Sequence, residues 1–62
     1  MNQHNVEFDL EKMKRLAEKD KLIQFVVNDL LKKLEDEVVT YQVVFNSYVL
    51  DDSTMEDFYS NL

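Results

Sequence analysis

From Met13 onward, apolar residues recur three and four positions apart: Met13, Leu16, Ile23, Val27, Leu30 and Leu34, then Tyr41, Val44 and Tyr48. Two steps of the series are polar, Asp20 and Glu37. Counted as a heptad, nine of the eleven positions from Met13 to Tyr48 are apolar. This period predicts an amphipathic helix or a coiled-coil seam. Glu11–Arg15, Lys14–Glu18 and Asp29–Lys33 stand four residues apart. Each such pair supports a helix by about 0.2–0.5 kcal/mol.

The first helix has a readable start. Asp9 can accept hydrogen bonds from the backbone N–H groups two and three residues on. Phe8 and Met13 stand at the two positions of a hydrophobic staple around that cap. Glu11 falls in the first turn, where the helix dipole favours an anion. Lys19-Asp20-Lys21 puts charge across the stripe. It is either a break between two helices or a polar position that sets register.

The stretch 38–50 is more ambiguous. Nine of its thirteen residues are β-branched or aromatic, a composition that favours strand. Val39, Tyr41, Val43 and Phe45 would line one strand face, and Val38, Thr40, Gln42 and Val44 the other. A lone strand needs a mate, and no second strand pattern is visible, so it would pair across a dimer or with a target. Helix is preferred because the heptad phase continues past residue 37. An α+β fold with a strand at 38–45 is the alternative. Asn46-Ser47 and Asp51-Asp52 are the expected links. Ser53 through Glu56 match a capping box, with Ser53 capping and Glu56 reaching back. Met55, Phe58, Tyr59 and Leu62 then follow at helical spacing. That last helix is too short to hold alone in water and must dock.

These elements predict an all-α fold, a small helical hairpin or bundle of two to three helices. It forms one domain over residues 1–62, with 1–8 a flexible tail. A chain this short buries only about 60% of the surface its unfolded form exposes, so a partner is expected to complete its stability. A homodimer would use Ile23, Val27, Leu30, Leu34, Tyr41, Val44 and Tyr48 as its seam.

Composition removes several alternatives. The 62 residues include no Gly, no Pro and no Cys. Phosphate-cradling loops need Gly, so nucleotide fingerprints are ruled out. Disulfides and thiolate metal sites are excluded, and the one histidine, His4, cannot make a zinc site beside scattered carboxylates. No metal or other cofactor is expected. No stretch is apolar for the ~18 residues that a membrane span needs. The polar start, Met1 to Asn5, lacks the basic and apolar regions of a signal peptide. A cytoplasmic setting is expected, and the lack of Cys suits a reducing compartment.

Charge is uneven along the chain. The formal net charge is −6. Residues 1–33 hold six acids and all seven bases, and residues 34–62 hold seven acids and no base. The bases are interleaved with acids, so no phosphate-binding patch forms and direct nucleic-acid binding is not expected. The C-terminal half is acidic and aromatic. A carboxylate surface with an apolar centre suits a basic groove on another protein. The expected contact residues are Glu35, Asp36, Glu37, Asp51, Asp52, Glu56, Asp57, Phe58 and Tyr59. Proteins that imitate a phosphate backbone, a type common in phages and mobile elements, share this balance of size and charge. The plainer explanation is that acidic surface keeps a small domain soluble.

Catalysis needs a nucleophile or base held by neighbours. No Cys is present, and adjacent acids such as Asp51/Asp52 are usually solvated. A cation on Asp51, Asp52 and Glu56 would lack the regular ligand spacing and the Gly of a calcium loop. The chain therefore predicts a non-enzymatic, protein-binding regulator or inhibitor directed at a basic, nucleic-acid-handling partner. The alternative is a self-associating helical module for structure or assembly.

Overall fold

The computed structural model describes residues 6–62. They form four α-helices and one π turn: α1 (Leu10–Lys19), α2 (Lys21–Leu34), α3 (Glu37–Val44), the π turn (Phe45–Val49) that continues α3, and α4 (Ser53–Ser60). No strand occurs among the described residues, so the stretch 38–45 is helical. Its β-branched residues are tolerated because Thr40 and Val44 pack inward from α3. The polar link residues predicted at Asn46-Ser47 lie inside the π turn instead.

Four helices exceed the two or three expected, and the surplus has one cause. Each helix begins on an aspartate. Asp9 accepts from the backbone of Glu11 and Lys12, and Asp20 from Leu22 and Ile23. Asp36 accepts from Val39, and Asp52 from Thr54 and Met55. All four residues are extended, with φ between −146° and −117°. An aspartate at a missing heptad step can therefore restart a helix in a new direction. Asp20 does so directly: its N–H closes α1 on the Leu16 carbonyl while its carboxylate opens α2. Glu37, the second missing step, is the first residue of α3, just after the cap. The expected box at Ser53 is one residue out of frame. Asp52 is the cap, and Ser53 is already helical.

Without glycine, α2 must end on another residue. Glu35 takes the left-handed conformation, φ 55°, and its N–H donates to the Leu31 carbonyl. This is the position where helices usually place Gly.

The stripe is buried within the chain. Met13, Leu16 and Ala17 from α1 meet Ile23 and Val27 from α2, Val44 from α3, Phe45 and Val49 from the π turn, and Tyr59 from α4. The expected dimer seam is corrected accordingly. Ile23, Val27 and Val44 are core residues, and Leu30 and Tyr41 pack partly against them. Only Leu34 and Tyr48 of that set are exposed. A seam helix folded back on itself at Asp20 and Asp36 covers its own apolar face.

The π turn explains Tyr48. In an α-helix, the residue four after buried Val44 would face the core. Leu50 N–H donates instead to the Phe45 carbonyl, five residues back, at 3.0 Å. The wider turn accommodates one more residue. Val49 takes the inward position, and Tyr48 turns outward.

Part of the segment expected as a tail, 1–8, falls within the described residues. Residues 1–5, with His4, lie outside them. Val6 and Phe8 pack against the core. Phe8 meets the Phe45 ring edge-on, with centroids 5.6 Å apart. The Tyr59 hydroxyl donates to the Glu7 carbonyl at 2.8 Å, across 52 residues of sequence. Lys12 Nζ lies 5.4 Å from the Tyr59 ring centre on its face. The segment just before α1 is thus held onto α4 and the π turn.

Candidate partner-binding surface

The acidic residues of the C-terminal half fall into two groups. Glu35, Asp36 and Glu37 surround the start of α3, and Asp51, Asp52, Glu56 and Asp57 surround the start of α4. The helical stretch between the groups advances about 1.5 Å per residue, so they lie roughly 20 Å apart. They are not one continuous carboxylate sheet.

Several of these acids also have local structural roles. Asp36 Oδ1 accepts from Val39 N at 3.1 Å, and Asp52 Oδ1 from Thr54 N at 2.9 Å. Glu37 Oε2 stands 3.5 Å from Lys14 Nζ on α1. Asp51 and Asp57 are exposed. Glu56 is half-buried in the first turn of α4.

The two aromatic residues assigned to this surface separate. Phe58 is exposed. Tyr59 is corrected from surface to core: it is 1% exposed, and its ring packs on Phe45 with centroids 5.3 Å apart. Adjacent residues on a helix point in different directions, and here Phe58 faces solvent while Tyr59 faces the core. Burial pushes the Tyr59 phenol above its ordinary value, against a lowering contribution from the Asp9 backbone.

The basic residues of α1 are partly engaged. Lys14 reaches Glu37, and Lys12 sits over Tyr59. Of the ion pairs expected at four-residue spacing, Asp29–Lys33 closes at 3.2 Å.

Two recesses bear on function. A polar one of about 380 Å³ is lined by Lys14, Glu18, Gln24, Asn28, Glu37 and Tyr41. Burial, followed by the nearby Glu37 carboxylate, pushes the Tyr41 phenol up, so it stays protonated at neutral pH. The other, about 550 Å³, is a more apolar groove where α2 runs beside α3 and the π turn. Phe25, Asp29 and Leu30 form one wall, and Val43, Ser47 and Tyr48 the other. Phe25 is 70% exposed, and Leu22, one turn earlier on α2, is 57% exposed.

Phe25 was not among the expected contact residues. Its signal was nevertheless present in the sequence. The run Leu22-Ile23, Phe25-Val26-Val27, Leu30-Leu31 carries more apolar residues than a single stripe can hold. A helix apolar beyond one face has a second surface to cover.

Among the described residues, no group of three or more His, Cys, Asp or Glu is placed to hold a metal ion. Among the same residues, no helix is long and apolar enough to cross a membrane. No family model, curated protein or solved structure matches this chain.

Proposed function

We propose that this protein is a non-catalytic regulator or inhibitor that binds another protein, with its acidic C-terminal half directed at a basic surface. The observation that carries this reading is the charge of residues 34–62, seven carboxylates and no cation. Such a field speeds encounter with a positively charged partner. Exposed Phe58 and Tyr48 supply apolar contact beside the acids. Imitation of a phosphate backbone is the finer form of this reading. It requires both acidic groups to touch one nucleic-acid-binding partner together, so duplex DNA should compete for that partner.

The test neutralises charge and keeps the fold. Asn caps a helix about as well as Asp, so Asp51→Asn, Asp52→Asn and Asp57→Asn with Glu35→Gln should leave α4 intact. Affinity capture from the host lysate at low salt should lose its partner with this variant. Survival of every captured partner would end the proposal.

Self-association is the second reading. Exposed Leu22, Phe25 and Leu34 favour it, together with Leu30 and Tyr48 in the groove. Sedimentation of the free protein decides this one, because a folded monomer at micromolar concentration rejects it.

A further inference from the structure

We infer that the polar recess between α1, α2 and α3 receives an arginine side chain of the partner protein, its guanidinium set against the Tyr41 ring and the Glu18 and Glu37 carboxylates. This deepens the protein-binding reading above and rests on it.

Three helices converge on this recess, whose volume is about 380 Å³. α1 supplies Lys14 and Glu18, α2 supplies Gln24 and Asn28, and α3 supplies Glu37 and Tyr41. The one ammonium of the lining, Lys14, stands 3.5 Å from Glu37. Two carboxylates against one ammonium leave the lining with a single negative charge. The Tyr41 phenol feels the same balance. Burial is the chief cause of its upward shift, Glu37 and Glu18 add to it, and Lys14 opposes it.

The neutral groups point to the same class of ligand. Gln24 Nε2 donates to the Ala17 carbonyl at 3.4 Å, which leaves its amide oxygen to accept. Asn28 offers a second amide oxygen. Half-buried Tyr41 adds an aromatic wall. An anion would meet two carboxylates here. A metal ion needs more acidic ligands, and among the described residues no group of three converges. A guanidinium suits every part: it is planar and weakly hydrated, pairs with carboxylates two bonds at a time, and stacks on aromatic rings. An ammonium is a compact, strongly hydrated point charge and matches the charge alone.

Position ties the recess to the acidic surface. Glu37 is the last of the three consecutive acids, Glu35, Asp36 and Glu37, at the start of α3. A basic surface drawn to that group arrives at the edge of the recess. The lysate variant above changes Asp51, Asp52, Asp57 and Glu35, none of which lines the recess. Loss of the acidic-surface reading and loss of the recess are therefore read apart.

The probes are Nα-acetyl-arginine amide, its lysine analogue and its uncharged citrulline analogue. Each is titrated into the isotope-labelled protein while the side-chain amide signals of Gln24 and Asn28 are followed by NMR. The arginine probe should move both signals to saturation, the lysine probe should bind more weakly, and citrulline should leave them in place. Glu18→Gln, at an exposed position away from every cap and with melting checked, should weaken the arginine probe by about fivefold. Asn28→Asp, also exposed, adds a carboxylate and should strengthen it by about the same factor. Lysine or citrulline binding as tightly as arginine, or arginine binding unchanged in both variants, would overturn the guanidinium site. Arginine-induced shifts confined to residues 51–57 would overturn the recess and leave the acidic-surface reading standing. Free arginine that binds about tenfold more tightly than the blocked probe would assign the recess to a small molecule and end the proposal. Lysate partners that all survive Glu18→Gln would likewise overturn the use of the recess by a partner protein.

Discussion

Replacing Asp20 by alanine tests how one amphipathic stripe becomes a folded domain. Asp20 Oδ1 accepts from Leu22 N at 2.9 Å and Ile23 N at 3.1 Å. Ile23 is fully buried, so its N–H has little access to replacement water. Removing an N-cap of this kind costs about 1 kcal/mol, and up to about 2 in unfavourable cases. A domain of this length has a total stability of about 3–9 kcal/mol. The loss is therefore a sizeable fraction of the whole, and should lower the melting temperature by about 4–8 °C per kcal/mol. Alanine also fills the missing heptad step and has the highest helix propensity. Asp20→Ala should therefore favour a continuous helix through residues 10–34, with an apolar face that only another molecule can cover. Thermal unfolding followed by circular dichroism, paired with sedimentation, is the assay. Asp20→Asn is the control and should stay within a few tenths of a kcal/mol of the parent, because Asn caps equally well. An alanine variant as stable and compact as the parent, or an asparagine variant that falls equally far, would refute the capping argument.

Three further outcomes follow from the fold. The Thr40 hydroxyl is buried with no hydrogen-bond partner; Thr40→Val should raise stability by about 1 kcal/mol, read as a higher melting temperature. Glu35 holds a left-handed φ of 55°, so Glu35→Gly should stabilise by about 0.5–1 kcal/mol in denaturant unfolding. Tyr59 and Tyr41 both have phenols pushed above 10.0, chiefly by burial. Their contribution to stability is fully present below about pH 10 and is lost as pH rises through the higher folded-state values. Melting temperature should therefore fall in that alkaline window, and less steeply in Tyr59→Phe. At neutral pH the same variant should lose about 1 kcal/mol with the hydrogen bond to Glu7.

Much of this architecture is visible in the residues. Asp9 with its flanking Phe8 and Met13 marks the first cap, and the apolar spacing marks α1, α2 and, at Val44, the inward face of α3, but passes over buried Thr40. Asp20 is read as a break or as a register position, because aspartate serves either purpose in a heptad. Only the packing of α1 against α2 decides for the break. The π turn left no local sign. Val44, Phe45, Tyr48 and Val49 are all apolar or aromatic, and which of them face inward depends on how many residues occupy one turn. The acidic neighbours of Tyr59 point it toward the surface, whereas its ring closes the core over Phe45. The surface residues differ in kind. Seven acids without a base are countable in sequence, but their division into two groups appears only when α3 and the π turn are placed between them. Phe25 lies off the heptad, so a search for one seam passes over it.

Asp20 and Asp36 turn the stripe back on itself, so that its apolar residues form a core and leave the groove beside Phe25 open. Small-angle scattering of the free protein tests this most directly. The account predicts a compact particle close to the 11.2 Å Cα radius of gyration, with a longest axis near 38 Å. An uninterrupted helix through residues 10–49 would instead be a rod about 60 Å long, and a rod-like profile of that length would contradict the account.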